Sequence, residues 1–270
     1  MKKLLVYLTT LGTILSLSGC GKNWEIADDA TKITVAASIT PHAEILKECK
    51  GLMTEKGYEL EIKEFSDYVL PNTATEDGSV QANYFQHTPY LEEFNETRGT
   101  HLVSVGSIHY EPFGIYSGKS TSIENLPEGS TIIVPNDGTN EARALLLLEQ
   151  VGLIKLNEGI GLSATKIDIK EDNGYNIVEA DAASIANSRP DAELIVLNGN
   201  YALEAGLSVN EALAIEDSEG IAAKTYANIL AVRDGNQEKA IVKALYECLT
   251  SEKIKNFILE KYDGSVVPMF

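Results

Sequence analysis

Arg143 is the side chain whose type and position most constrain the chemistry open to this chain. It follows Asn136-Asp137-Gly138-Thr139-Asn140 and opens an apolar run, Ala142, Ala144 and Leu145 to Leu148, that reads as a helix. The first turn of a helix disfavours a cation and favours an anion. An arginine is best placed there if it shares the spot with a carboxylate, which it can grip through two parallel hydrogen bonds while backbone N–H groups help. That carboxylate can belong to a ligand or, at the surface, to Glu141 or Asp137, and the residues alone leave both open. Asn140, three residues before Arg143, lies on the same helix face and points at the same partner.

The segment Asn83-Tyr84-Phe85-Gln86-His87-Thr88-Pro89-Tyr90 puts three aromatic rings and an imidazole close together. Such a cluster can wall a pocket for a small apolar or sulfur-bearing side chain, since thioethers contact ring edges favourably, and it can equally be ordinary core. His87 and Tyr90 face one pocket if the segment is helical. Asn198, Asn200 and Asn228 supply amides able to bond an ammonium or a carboxylate. Asn-Gly-Asn also suits a tight turn without any ligand.

Catalysis finds little support. There is no Gly-x-Ser-x-Gly, no His-Glu-x-x-His and no phosphate-cradling glycine loop, so no catalytic residue and no cofactor are assigned. The histidines at 42, 87, 101 and 109 make no close pair with Cys or Asp, and a metal site would have to be assembled from distant residues. Cys49 and Cys248 have no framework spacing and read as buried thiols rather than a bridge.

These side chains need elements to hold them. Short β-rich runs alternate with longer helical ones, the signature of an α/β protein with largely parallel sheets. The expected strands are Ile33–Ala37, Leu60–Phe65, His101–Ile108, Thr131–Val134, Leu194–Leu197 and Asn228–Val232. The expected helices are Pro41–Leu52, Glu141–Val151, Val209–Ala214 and Gln237–Leu249, with Gly152 ending the second. Ligands of such sheets sit beyond the carboxyl ends of strands, and Tyr68, Asn140, Arg143, Asn198 and Asn200 all follow predicted strands. His109 to Tyr116 and Lys224 to Asn228 read as crossings, giving one lobe of 31–112 plus 228–270 and another of 113–227, with a cleft between them.

The amino terminus says where such a domain works. Met1-Lys2-Lys3, an apolar stretch from Leu4 to Leu17 and the small pair Ser18-Gly19 read as a secretory signal over residues 1–19. Cys20 directly after them resembles the lipobox of bacterial lipoproteins, which implies cleavage before Cys20, lipidation of its thiol and a tether over 20–30. Cleavage removes Lys2 and Lys3 and no acid, so the net charge of −18 becomes −20. A chain this acidic is repelled by phosphate backbones, which argues against nucleic acid as a partner and leaves the lipid as the membrane anchor.

Read as an ordered set, several segments resemble the methionine-binding lipoproteins often called NlpA or MetQ, the substrate-binding components of ABC importers. They are Phe65-Ser66-Asp67-Tyr68, Pro71-Asn72, Gln81 to His87 with Pro89-Tyr90-Leu91, Pro112 to Ser117, Pro135-Asn136-Asp137 with Asn140 to Leu145, Gly152-Leu153-Ile154, Asn198 to Tyr201, Tyr226-Ala227-Asn228 and Gly264 to Pro268. The resemblance implies a two-lobed periplasmic-binding-protein-like fold closing on a free amino acid. It implies that Arg143 grips the ligand carboxylate, that Asn200 and Asn228, with Asn198 and Asn140, bond its amino and carboxyl groups, and that Tyr68, Phe85, His87 and Tyr90 enclose a methionine side chain. It further implies an extracytoplasmic, lipid-anchored receptor whose partners are a permease and a cytoplasmic ATPase.

Two places depart from the expected pattern. Gly138 stands where a more restricted residue is common and is expected to loosen its loop, and Ala74-Thr75-Glu76 is unusually polar. Both leave selectivity among L-methionine, D-methionine, a methionine-containing dipeptide and another small amino acid open. Two other functions stay in view: a metal-ion receptor using His42, His87 and His109, and an interaction protein or adhesin of the same fold.

Overall fold

A computed structural model describes residues 24–216 and 221–270. The signal, the lipidation residue Cys20 and the first part of the tether lie outside the described residues.

Two large sheets divide the described residues, with a small antiparallel pair, Lys155–Leu156 and Ile169–Glu171, beside the second. The first has six strands in the order Val267–Pro268, Leu102–Tyr110, Asn228–Arg233, Ala82–His87, Lys32–Ser38 and Glu59–Phe65. The second has five, in the order Ala214–Ile215, Gly114–Ser117, Leu194–Leu197, Thr131–Pro135 and Asn176–Ala180. The chain passes from the first sheet to the second between Tyr110 and Gly114 and returns before Asn228. The result is a two-lobed α/β fold.

The sheets are mixed rather than largely parallel. Lys32–Ser38 pairs in parallel with Glu59–Phe65 and Ala82–His87, but Asn228–Arg233 is antiparallel to both Ala82–His87 and Leu102–Tyr110. The cause is the return crossing: a strand arriving from the other lobe wedges between two strands of common direction and must run against them. Gly114–Ser117 likewise enters the second sheet antiparallel to Leu194–Leu197 because it follows a direct crossing with no helix.

Each sheet buries its apolar faces under helices. Glu44–Glu55, Ala240–Leu249 and Glu252–Tyr262 cover the first, and Ile241, Leu245, Cys248 and Leu249 repeat at helical spacing to give the second of these a continuous buried stripe. Cys49 and Cys248 are free, buried thiols in this core. In the second lobe, helix Gly138–Gln150 buries Ala142, Ala144, Leu145, Leu147 and Leu148, and Gly152 follows it at φ 77 as the expected left-handed stop.

Local expectations shift in places. Pro41 belongs to a separate turn, Ile39–Ala43, ahead of helix Glu44–Glu55. Val209–Ala214 is not a helix: Ser208 and Glu211 form a reciprocal capping box around one 3-10 turn, Val209–Glu211, and Ala214–Ile215 pairs as a strand with Gly114–Ser117. No helix of the described residues is long and apolar enough to cross a membrane.

Candidate functional site

The carboxyl ends of the parallel strands in both sheets point into the space between the lobes, where open α/β sheets hold ligands. A cavity lies there, lined by Tyr68, Phe85, Gln86, His87, Tyr90, Glu111, Asn140, Arg143, Asn198, Gly199, Asn200 and Asn228. All nine side chains singled out from the sequence meet at it. Gln86, Glu111 and Gly199 complete the lining without having been anticipated.

The first lobe supplies the rings. His87 ends strand Ala82–His87 and caps the following helix, Thr88–Arg98, its Nδ1 accepting the Tyr90 N–H at 3.2 Å. His87 and Tyr90 are therefore neighbours through a strand-to-helix junction, not along one helix. With Nδ1 an acceptor, Nε2 carries the proton and donates to Asn140 Oδ1 at 3.1 Å across the cleft. Burial, helped by the Arg143 charge, pushes the His87 pKa down to about 3, so the ring is neutral. Tyr68 stacks near Phe85, Tyr90 and Tyr201 at centroid distances of 5.8, 5.7 and 4.9 Å, making one aromatic wall.

The second lobe supplies the amides and the cation. Asp137 caps helix Gly138–Gln150, accepting from Asn140 N at 3.1 Å and from Asn140 Nδ2 at 2.7 Å, which turns Asn140 Oδ1 toward His87 and Asn198. Burial raises the Asp137 pKa to about 6. Asn198 caps the short helix Gly199–Glu204, on which Asn200 accepts a 2.5 Å hydrogen bond from the Tyr68 hydroxyl of the other lobe. Asn198 Oδ1 and Asn200 Nδ2 are buried and have no hydrogen-bond partner among the described residues. One free acceptor and one free donor are what a zwitterion needs.

Arg143 has a carboxylate partner, and it is neither Glu141 nor Asp137. Its Nε lies 2.8 Å from Glu216 Oε2, its Nη2 also meets Glu216 Oε1, and Nη2 donates to the Glu111 carbonyl at 3.0 Å. The guanidinium packs between the rings of Phe113 and Tyr226, 4.6 and 4.3 Å from their centroids. Glu141 instead accepts the Lys166 N–H at 2.7 Å. Nη1 of Arg143 has no acceptor among the described residues, so the guanidinium keeps donor capacity beyond its ion pair.

Glu111 is the other buried charge, on the first crossing. His109 Nε2 approaches its Oε1 at 2.7 Å and His42 Nε2 at 3.4 Å, while His42 Nε2 also donates to Asn228 Oδ1 at 3.0 Å. Tyr84 hydroxyl meets His109 Nδ1, which leaves the Nε2 proton for Glu111. Burial pushes His42 down to about 4 and His109 to about 3, and it raises Glu111. His42, His109 and Glu111 have potential metal-ligand atoms within 4.8 Å of one another. His87, the third histidine of the metal reading, stands outside this group.

The two departures in the sequence acquire physical reasons. A Cβ on Gly138 would come within 2.5 Å of Glu93 Oε1, so glycine there admits a carboxylate from the opposite lobe that accepts the Thr139 N–H at 3.2 Å. The glycine tightens a contact rather than loosening a loop. Thr75 Oγ1 accepts from Asn83 Nδ2 at 2.8 Å beneath the pocket, and Glu76 clamps His101 and Arg233.

Fold and cleft together define a two-lobed binding protein of the periplasmic-binding kind. The chain belongs to the NlpA lipoprotein family, whose model matches residues 33–270. It is 42% identical to the methionine-binding lipoprotein MetQ of Bacillus subtilis, covering 100% of this chain and 99% of that one. A nutrient-binding protein from Burkholderia cenocepacia, solved bound to methionine, superposes with a TM-score of 0.84 at 38% identity, over 88% of this chain and 100% of that one. A periplasmic substrate-binding protein of an ABC transporter from Coxiella burnetii gives 0.82 at 38% identity, over 88% and 100%.

Proposed function

We propose that this protein is the extracytoplasmic receptor of an ABC importer and that it captures methionine in the cleft. The observation that carries the reading is the union, in one small cavity, of an aromatic wall with an arginine and unpartnered amides. The cavity is lined by both lobes, Tyr68, Phe85, His87 and Tyr90 from one and Asn140, Arg143, Asn198 and Asn200 from the other, as a site closing on one small ligand requires. Tyr68, Phe85, His87 and Tyr90 enclose the thioether, whose sulfur gains from ring edges about 5 Å away. Arg143 and the Asn200 amide donate to the carboxylate, and Asn140, Asn198 and Asn228 complete the polar shell. No step of bond making is involved, so the protein is a receptor and not an enzyme.

In this reading the lobes are 31–112 plus 228–270 and 113–227, and they close over the ligand. A lipid on Cys20 holds the protein at the membrane, and a permease driven by a cytoplasmic ATPase takes the ligand from it. The names of the Bacillus, Burkholderia and Coxiella proteins support ligand and transport context alike. A second reading, a metal-ion receptor, rests on the His42, His109 and Glu111 group. Binding isotherms with L-methionine, D-methionine and zinc, measured on protein stripped by unfolding and refolding, separate the two: one-to-one methionine binding without zinc supports the first, and zinc binding alone supports the second.

A further inference from the structure

The two helices whose starts frame the pocket meet a second time, outside it. Thr88–Arg98 belongs to the first lobe and begins beside His87 and Tyr90, whereas Gly138–Gln150 belongs to the second and carries Asn140 and Arg143. Inside the cavity they are joined by His87 Nε2 donating to Asn140 Oδ1 at 3.1 Å. Outside it, Glu93, one helical turn beyond Tyr90, reaches across the cleft and accepts the Thr139 N–H on Oε2 at 3.2 Å. Glu93 is half-buried and does not line the cavity.

This contact completes the cap of the helix that carries the ligand residues. A helix start leaves its first N–H groups without partners inside the helix and favours an anion beside them. Gly138–Gln150 satisfies the Asn140 N–H from its own lobe, through Asp137 Oδ1 at 3.1 Å. The Thr139 N–H is satisfied from the other lobe, by Glu93. Glu93 comes this close because residue 138 is glycine, since a Cβ there would lie 2.5 Å from Glu93 Oε1. Asp137 opposes Glu93 as a like charge, but its Oδ1 is engaged by Asn140 and its burial makes it protonate more easily than an ordinary carboxyl, which weakens the repulsion.

We propose that Glu93 is a positioning residue that latches the closed cleft: it caps the ligand-bearing helix only while the lobes are together, and so slows release of a ligand it does not touch. The inference rests on the receptor reading above and its two closing lobes. Parting the lobes returns Glu93 and the Thr139 N–H to water, whereas the cap made by Asp137 stays within its own lobe. The latch therefore belongs to the closed state, and its loss appears in dissociation rather than in encounter.

The test loads the purified, detergent-solubilised chain with radiolabelled L-methionine, chases it with unlabelled methionine and measures the dissociation constant by calorimetry. The proteins compared are the wild type, Glu93→Ala, Glu93→Gln, Gly138→Ala and the double variant Glu93→Ala with Gly138→Ala. Glu93→Ala should release methionine about 5–10 times faster, with association within about twofold of wild type and the Tm of the unliganded protein unchanged. Glu93→Gln keeps an acceptor, loses the charge and should fall between the two. Gly138→Ala should speed release about threefold by displacing the carboxylate, and the double variant should release no faster than Glu93→Ala, because both substitutions remove one contact. Release within about twofold of wild type in a folded Glu93→Ala protein overturns the latch and leaves the receptor reading standing. A lower unliganded Tm matched by slower association overturns it too, as the mark of a residue that merely supports its own lobe. So does a double variant whose effect is the product of the single ones. Failure of the wild type to bind methionine at all removes the receptor reading and this inference with it.

Discussion

Arg143 with Glu216 and Glu111 with its two histidines are two buried ionisable groups beside one cleft, and they differ in their partners. The first is a finished ion pair packed between rings; it fixes the crossing near Phe113 to the segment at Glu216 and offers only residual donors to the cavity. The second is a buried carboxyl held by imidazole N–H groups, with no lysine or arginine on it among the described residues.

The largest effect that tests the contrast is on stability. Arg143→Ala should destabilise the protein by about 3–5 kcal/mol in chemical denaturation, because Glu216 is left buried and alone, and should abolish amino acid binding. Glu111→Gln should have the opposite sign or no effect on the unliganded protein, since the fold already favours the uncharged carboxyl there. Equal losses from both substitutions would erase the distinction between the centres.

Acid should act next. His42, His87 and His109 are held neutral with pKa values of about 4, 3 and 3, so between those values and about 6.5 the unfolded chain binds more protons than the folded one. Stability then falls as pH drops from 6.5 toward 4, by up to about 1.4 kcal/mol per pH unit for each ring. Asp137, raised to about 6, Glu204, raised to about 7, and the raised Glu111 and Glu141 work against this trend, because their folded forms hold protons the unfolded chain releases. The histidine part is isolated by comparing His87→Gln with the parent protein: an unchanged pH slope of stability between 7 and 5 would contradict the neutral assignment of that ring.

Smaller changes probe the contacts between the lobes. Tyr68→Phe removes the hydroxyl bond to Asn200 and should cost about 0.5–1.5 kcal/mol of binding, read by calorimetry. Gly138→Ala pushes against the far end of the flexible Glu93 side chain and should cost less, under about 1 kcal/mol, through the lost Thr139 N–H contact.

Much of this cleft was legible in the residues because its ingredients are local. The cation at a helix start, the ring cluster of 83–90 and the asparagines after strands each announce themselves within a few positions, and all line one cavity. What was hidden is pairing across long separations. A cation at a helix start calls for a carboxylate, but nothing in the sequence points 73 residues ahead from Arg143 to Glu216. Glu111 sat unnoticed inside an aromatic crossing, where the signal was a lone acid between Tyr110 and Pro112. The antiparallel insertion of Asn228–Arg233 was equally invisible, since strand direction is set by where the crossing returns and not by the strand's own residues.

The central claim is that the cleft binds methionine, and calorimetric and thermal-shift titration of ligand-stripped protein with L-methionine tests it most directly. The account predicts one-to-one binding and, at a hundred times the dissociation constant, stabilisation of about 2.7 kcal/mol, equivalent to a rise of roughly 5–11 °C in Tm for a protein of this size. No heat and no shift with methionine, alongside a response to another amino acid or to zinc, would contradict it.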